Sequence, residues 1–487
     1  MITILCAIFV VMLVIFLTKL YLQRDTPPGP WGYPIVGSLL ALDSQKPYIT
    51  LTKMSKKYGK IFGLRLGSIY TVVLSDAALI RDVLRREEFT GRAPLYLTHG
   101  IMGGYGLICS EGNLWRDHRK MSINWLKMLG MAKYNENRNS LETRIINGVN
   151  GMIIEMNGQI GKEMDLMPIL HHHLGNILND LIFGVKYTSD DSTWRYLQHL
   201  QEEGVKHIGV SGSINFLPLL RYIPTFRRRI RFLLEGKAKT HRIYEDLITK
   251  ANTDGRKDNV LGLYLQEKAK KSFQISNNDE KTWSDEQLKH VLADLFGAGL
   301  DTTSSTIRWI LLFVARNPGV QQNIHEEMSK KLSGPPRLQN YDDLPYLRAC
   351  IAEGQRIRSV VPVGIPHGTK EETRIDGYRI PKGTMIVPLQ WAVHMNPQIW
   401  SDPEKFSPTR FLDENGQFQP SQHLIPFQSG KRICLGEELA KMIMFLFVGN
   451  ILYNFNLSLV IEGDLSGNCG ITLTPPAHKI IASIRKF

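Results

Sequence analysis

The feature that most limits how this chain can fold is one long helical pattern, from residue 284 to the Asn317-Pro318 pair. Ser284 and Gln287 have the spacing of a capping box at its start. Pro318 stops it, because proline lacks an N–H and clashes with the preceding turn. About 33 residues make a rod of roughly 50 Å. Its second half, 307–315, is nearly all apolar, so the rod must cross an interior. A chain of 487 residues can wrap it in one body and still enclose a cavity. Further helical patterns lie at 318–332, 343–358 and 436–450. Short alternating runs at 61–66 and 70–74 read as a hairpin turning near Gly67-Ser68, and 361–394 reads as strand and turn. The expected class is mainly α, helix-rich with small β-sheets.

Before this body come two other segments. Every residue of 2–17 except Thr3 is apolar, and Lys19 and Arg24 follow. The run approaches the ~20 residues needed to span a bilayer. No basic stretch precedes it and no small-residue cleavage site follows, which favours an uncleaved anchor over 1–22. The trailing positive charges place the rest of the chain on the cytoplasmic side. Residues 23–34 include Pro27, Pro28 and Pro30, a stiff hinge. The main body of the chain would then be 35–487. Net charge is +13, which suits an anionic membrane or an acidic partner. No zinc-finger spacing, RNP-like motif or long basic tail accompanies it, so nucleic acid is not the expected partner. The cysteines, Cys6, Cys109, Cys350, Cys434 and Cys469, are odd in number and widely spaced. They suggest neither a disulfide framework nor a cysteine metal site, and they suit a reducing compartment.

Residues 426–440 read Pro-Phe-Gln-Ser-Gly-Lys-Arg-Ile-Cys-Leu-Gly-Glu-Glu-Leu-Ala. A lone cysteine before a helix is most often buried filler. Here Phe427, Gly430, Arg432, Cys434 and Gly436 occur together. A thiolate that ligates haem iron needs a sharp turn to present its sulfur, and glycines permit one. It needs a lowered pKa, which a helix start can provide. Arg432 suits the carboxylates of a haem, and Phe427 can shield the sulfur from water.

This loop resembles the signature of the cytochrome P-450 family of haem-thiolate monooxygenases, microsomal type. The resemblance implies that fold with an N-terminal anchor helix, haem b as cofactor, dioxygen as co-substrate, and Cys434 as the axial iron ligand. Ala298-Gly299-Leu300-Asp301-Thr302-Thr303 resembles the family's oxygen-activation motif. Asp301 would relay protons and Thr302 would donate a hydrogen bond at the reacting oxygen. Glu353 and Arg356, three apart on one face, resemble two members of a structural triad. Arg410, in Pro408-Thr409-Arg410-Phe411, would be the third; Thr409 stands where the family often has Glu. Trp115 and Arg119 resemble a propionate-binding pair. Arg92 and His367 resemble two further propionate contacts, beside Arg432, and Gly436 belongs to the cysteine loop. The run His171-His172-His173 is not expected at the iron, since adjacent histidines on a helix do not share a face.

No Gly-x-Gly-x-x-Gly follows a strand, so electrons must come from outside the chain. An NADPH-dependent flavoprotein reductase is the implied donor, with a cytochrome b-type donor as a second. Arg116, Lys120, Lys431 and Lys441 form a candidate basic docking face. Segment 216–234 joins Phe216, Leu219, Tyr222 and Ile223 to Arg227, Arg228, Arg229 and Arg231, and reads as a second contact with the bilayer or as an amphipathic helix of the core. The expected location is the endoplasmic reticulum membrane. Candidate pocket walls are the 95–108 loop, a helix at 205–217, 295–299, 361–365 and the turn near Ile471. They suit a lipophilic substrate. The stretch 356–411 is similar to insect members that hydroxylate ecdysteroids. A terpenoid (juvenile-hormone-type) epoxidase, a xenobiotic oxidase, a haem-thiolate isomerase or lyase, and a non-catalytic haem-binding protein remain as alternatives.

Overall fold

The computed structural model describes residues 25–207, 212–272, 282–461 and 463–485. The expected anchor at 1–22 lies outside them. In chain order the main elements are α1 (Pro47–Tyr58), β1 (Ile61–Leu66), β2 (Ile69–Leu74), α2 (Ala77–Arg85), β3 (Gly91–Arg92), α3 (Gly112–Leu126), α4 (Arg138–Asn157), β4 (Glu163–Met164), α5 (Leu166–Phe183) and α6 (Ser192–His207). Then come α7 (Pro224–Asp254), α8 (Val260–Ser272), α9 (Asp285–Arg316), α10 (Pro318–Lys331), α11 (Pro345–Ile357), β5 (His367–Gly368), β6 (Thr373–Ile375), β7 (Tyr378–Ile380), β8 (Met385–Pro388) and α12 (Gln390–His394). The last are α13 (Glu437–Asn454), β9 (Phe455–Leu459), β10 (Asn468–Cys469), β11 (Leu473–Thr474) and β12 (Ile480–Ile484).

The axis of the fold is α9. From Thr303 to its last apolar residue, Ala315, every side chain is buried. It packs on α5, α11, α13 and β9, so neighbours surround its second half. Arg308, the one charge in that stretch, is itself buried. Trp309 anchors the rod laterally: its indole Nε1 donates to the Leu473 carbonyl at 2.8 Å. Ser284 caps the start, its hydroxyl accepting from Gln287 N at 3.2 Å. The Gln287 side chain does not return the favour as a capping box would. Its amide is spent on the Gly106 backbone, accepting from N at 2.8 Å and donating to O at 3.2 Å.

Sheet content is small and peripheral to the rod. The largest sheet has the order β1-β2-β8-β5-β3, with β2 and β8 parallel and the other neighbours antiparallel. Its register sets Arg92 directly opposite His367. The proline hinge is part of this layer rather than a free linker. Pro28 O accepts from Gly63 N at 2.8 Å, and Gly29 lies so close to the Gly63 carbonyl that no side chain fits there.

Two helix expectations change. The helix expected at 205–217 does not extend over the described residues of its second half: Gly212 is not helical, and Ser213–Asn215 and Pro218–Tyr222 are separate 3-10 turns. Gly212 and Pro218 flank the first of these turns, and glycine and proline are the poorest helix formers. The helix expected at 436–450 runs on to Asn454, because Ile451 and Leu452 continue the buried apolar face. Among the described residues the cysteines Cys109, Cys350, Cys434 and Cys469 are free thiols. Replacing the cap, Ser284→Ala, removes one acceptor from the start of α9. It should lower unfolding free energy by about 1 kcal/mol, read from denaturant unfolding; an unchanged midpoint would contradict the capping role.

Candidate active site

Cys434 stands at the end of a tight loop, two residues before α13. Gly430–Arg432 makes one 3-10 turn, and Cys434 N donates to Phe427 O at 3.1 Å. Gly430 is required twice over. Its φ is +75°, and a Cβ would run into the carbonyl of Leu84 on α2. Gln428 also has positive φ, 62°, uncommon for a side chain of this type. Its amide Nε2 donates to Ile365 O at 3.2 Å, and its Oε1 faces His367 Nε2 at 3.4 Å. Cys434 itself is accessible to solvent, yet enough protein surrounds it that its thiol titrates above the ordinary value. Burial is the main cause, and Glu437 adds to it; the Gly436 N–H and Arg119 act the other way. The lowered pKa expected from the helix start is therefore absent in the protein alone. Desolvation outweighs one N–H and one half-buried guanidinium.

Two residues before Cys434 in the loop, Arg432 is the centre of a concentration of positive charge. Arg432 donates from Nε to Thr90 O at 2.7 Å and from Nη2 to Ser110 O at 2.6 Å. Its Nη1 is buried without a hydrogen-bond partner. The guanidinium carbon lies 4.2 Å from the centre of the Trp115 ring. Burial and the neighbouring Arg92 push the Arg432 pKa down to about 8. Arg92, donating to Ile108 O at 2.6 Å and Pro366 O at 3.3 Å, is pushed down to about 10 by burial. His367 shares a hydrogen bond with Phe89 O at 2.8 Å and is pushed to about 3 by burial and by Arg92. Arg119 reaches the Ile433 carbonyl, next to the cysteine. Trp115 and Arg119 thus diverge, one carrying Arg432 and the other meeting the loop.

On α9 an accessible stripe interrupts the burial. Ala298 is exposed, and Leu295, Asp301 and Thr302 are partly so. Thr302 Oγ1 donates to Ala298 O at 2.7 Å. Asp301 Oδ2 accepts from Thr472 Oγ1 at 2.7 Å, so the acid is paired by the turn after Ile471. Burial raises its pKa. Gly299 serves packing: its Cα faces Leu178 of α5, which leaves only a tight fit for a Cβ. Of the three adjacent histidines, His171 meets Ser304 Oγ at 3.0 Å, His173 meets Glu155 at 3.0 Å, and His172 lies edge-on to Trp194.

Glu353 and Arg356 are fully buried, both at 0% side-chain exposure. They form a two-point pair: Nε to Oε2 at 2.6 Å and Nη2 to Oε1 at 2.8 Å. Arg410 Nε joins Oε1 at 3.3 Å, and Ser407 N donates to the same oxygen at 2.9 Å. Arg356 also donates to His394 O at 2.8 Å and Pro403 O at 2.9 Å. The structure brings all three residues together in the interior.

The basic face is less free than its sequence implies. Glu87 sits among Lys431 at 2.6 Å, Arg116 at 2.9 Å and Lys370 at 3.4 Å. Hydrogen bonding from Lys431 pulls its pKa down to about 2. Lys441 pairs with Glu437 and Glu438. Three cations around one carboxylate still leave the patch net positive, and Lys120 is exposed nearby on α3.

A family model described as Cytochrome P450 matches residues 27–481. The chain belongs to the cytochrome P450 family. It is 45% identical to Cytochrome P450 306a1 of Drosophila melanogaster, over 94% of this chain and 89% of the relative. It is 34% identical to Cytochrome P450 18a1 of the same species, over 94% and 86%. Cytochrome P450 2K4 of Oncorhynchus mykiss matches at 32%, over 95% and 92%. Family membership makes this P450 an oxygen-dependent monooxygenase that uses haem. Its own residues fit that group. A haem carries two carboxylates, and Arg432 presents a buried, unpartnered Nη1 amid guanidiniums that burial and one another destabilise. Two carboxylates would relieve that strain. The raised thiol of Cys434 likewise needs a cation, such as an iron, to become a thiolate.

Sequence patterns missed Asp294, a determinant of the site. Asp294 of α9 is buried, and its Oδ2 accepts from Leu107 N at 2.6 Å and Ile108 N at 2.8 Å. With Gln287 it clamps the 95–108 loop to the rod. No motif flags it, because its partners are backbone groups far away in sequence. Burial raises its pKa from the ordinary 3.8 to about 6, against the pull of those two N–H groups. The fold therefore holds this proton more tightly than the unfolded chain does. That contribution is complete below about pH 4 and is lost as pH rises through about 6. Relative to Asp294→Asn, the wild type should lose about 2 kcal/mol of stability between pH 4 and 7. Denaturant unfolding across that range checks it; a difference that stays flat or grows in favour of the wild type would contradict it.

Proposed function

We propose that this P450 hydroxylates an apolar steroid, an ecdysteroid or another sterol, at a membrane surface, with Cys434 as the haem ligand. The observation that carries the reading is the placing of Cys434. It is accessible just before α13, where the Gly436 N–H and the Arg119 guanidinium favour its thiolate, and Arg432, two residues earlier in the loop, belongs to a buried guanidinium cluster. When bound, the haem supplies electron transfer to dioxygen and O–O cleavage, which a thiolate ligand favours. Arg92, Trp115, Arg119, His367 and Arg432 hold its two carboxylates. Phe427 keeps water from the sulfur, and Gly436 leaves the approach open, since a Cβ there would meet no protein atom. Asp301, whose carboxyl burial makes a weaker acid than usual, relays protons through Thr302 Oγ1 once that hydroxyl swings from the Ala298 carbonyl. Glu353, Arg356 and Arg410 position the loop and touch no reactant.

The sterol assignment rests on the likeness of 356–411 to insect members that hydroxylate ecdysteroids; the two Drosophila relatives that match nearly the whole chain support the likeness to insect members. Electrons come from an NADPH-dependent flavoprotein reductase, or from a cytochrome b-type donor. The positive patch of Arg116, Lys120, Lys370, Lys431 and Lys441 suits an acidic partner. Location at the endoplasmic reticulum membrane, facing the cytoplasm, rests on the apolar run at 1–22. A second support is an exposed apolar surface: Trp31, Tyr33 and Ile35 lie with Leu219 along a groove of about 490 Å³. Tyr222 and Ile223 follow, also exposed, and then the exposed arginines of α7. Among the described residues no helix is long and apolar enough to cross a membrane.

Reconstitution with NADPH and a flavoprotein reductase tests the reading. A steroid precursor under labelled dioxygen should gain one labelled hydroxyl oxygen, and omitting reductase should abolish turnover. Thr302→Ala should lower product formed per NADPH by about 10²-fold while NADPH is still consumed. Epoxidation of a terpenoid with no steroid product would overturn the substrate class. Conversion that needs neither NADPH nor dioxygen would overturn the reaction.

A further inference from the structure

A second cluster of ligating groups lies one to two turns before the oxygen-side stripe of α9. Glu286 and His290 are four apart, hence on one face of the helix. His241 meets them from α7. His241 Nδ1 lies 3.6 Å from Glu286 Oε2, and His290 Nε2 lies 3.3 Å from Glu286 Oε1. One donor atom from each residue falls within 4.8 Å of the others. Tetrahedral zinc with ligands at 2.0–2.2 Å sets donor atoms roughly 3.3 Å apart, so small side-chain rotations would close the set.

A second observation points to a ligand. The His290 side chain is 1% exposed. Its Nε2 meets only the Glu286 carboxylate, at 3.3 Å, and its Nδ1 has no hydrogen-bond partner. A buried ring nitrogen left in this way costs free energy that a bound cation would recover. The ring is held in place without polar help: Tyr105 stacks on it at 5.5 Å, and His241 stands edge-on at 4.9 Å.

We propose that His241, Glu286 and His290 bind one divalent transition-metal ion, best matched by Zn2+, between α7 and α9. Two imidazoles and a carboxylate form a borderline donor set of the kind zinc takes, with a fourth position left to water. The cations now at Glu286 do not block it. Lys289, 3.3 Å from Glu286, keeps Glu245 at 2.7 Å. Lys237, 3.6 Å from Glu286, keeps the Ile101 carbonyl at 3.2 Å. Through Tyr105 and Lys237 the site also touches the loop clamped by Asp294. A bound ion would therefore fasten three elements: α7, α9 and the 95–108 loop.

The test uses the full-length, haem-loaded protein and Zn2+ alone, in competition with a chromophoric chelator. The wild type should retain one equivalent. His290→Ala, His241→Gln and Glu286→Gln should each weaken retention by at least about tenfold, since even outer partners of metal ligands are worth that much. His199→Ala, at an exposed histidine of α6, should leave retention unchanged. Zn2+ should raise the thermal midpoint of the wild type and not that of Glu286→Gln, which keeps the side-chain shape. Equal retention by wild type and the three variants, or no retained equivalent in the wild type, would overturn the proposal.

Discussion

The position of the reactive cysteine depends on a buried ion pair that never touches it. Glu353 and Arg356 sit at 0% exposure, joined at two points. Such a pair adds little net stability, because desolvating both charges offsets most of their attraction. Its value here is geometric. Arg356 fixes the His394 carbonyl, and the His394 ring accepts from Ile425 N at 2.9 Å. Ile425 O in turn accepts from Gln428 N at 3.1 Å, and Phe427 O accepts from Cys434 N at 3.1 Å. His394 stays neutral for this task, since burial and the adjacent Arg356 push its pKa to about 3. A few well-oriented bonds thus connect α11 to the cysteine loop without any chemistry passing along them.

A second constraint is electrostatic. Arg92 and Arg432 are buried, and with burial they keep the neighbouring His367 neutral. Like charges gathered in a low-dielectric interior destabilise one another, and each guanidinium here titrates below its ordinary value. The backbone carbonyls of Thr90, Ser110, Ile108 and Pro366 solvate part of that charge. What remains is a site built for two anionic groups held side by side. The same argument explains the thiol: the protein offers Cys434 one N–H and one nearby guanidinium, which is not enough to ionise it alone.

The sequence made the scaffold legible where physical signals are local. A serine cap, an apolar run and a proline marked α9 almost to the residue. The hairpin was visible from alternation and its Gly67 turn. Glycine and arginine spacing around Cys434 marked the loop. Elements that tertiary contacts decide were less legible. The 3-10 turns Ser213–Asn215 and Pro218–Tyr222 follow Gly212 inside a stretch of helical composition. Asp294, Gln287, Gln428 and His394 carry much of the site's geometry, yet each bonds to groups distant in sequence. A single aspartate or glutamine in a helical pattern reads as surface until its backbone partners are seen. The His241, Glu286 and His290 group is invisible for the same reason, since its members come from two helices.

The most direct test of the account is the carbon-monoxide difference spectrum of the reduced, haem-loaded protein, in wild type and in Cys434→Ala. Thiolate ligation through Cys434 predicts a strongly red-shifted Soret band in the wild type that disappears in the variant. The same band in both proteins, or a well-folded wild type that takes up no haem, would contradict it.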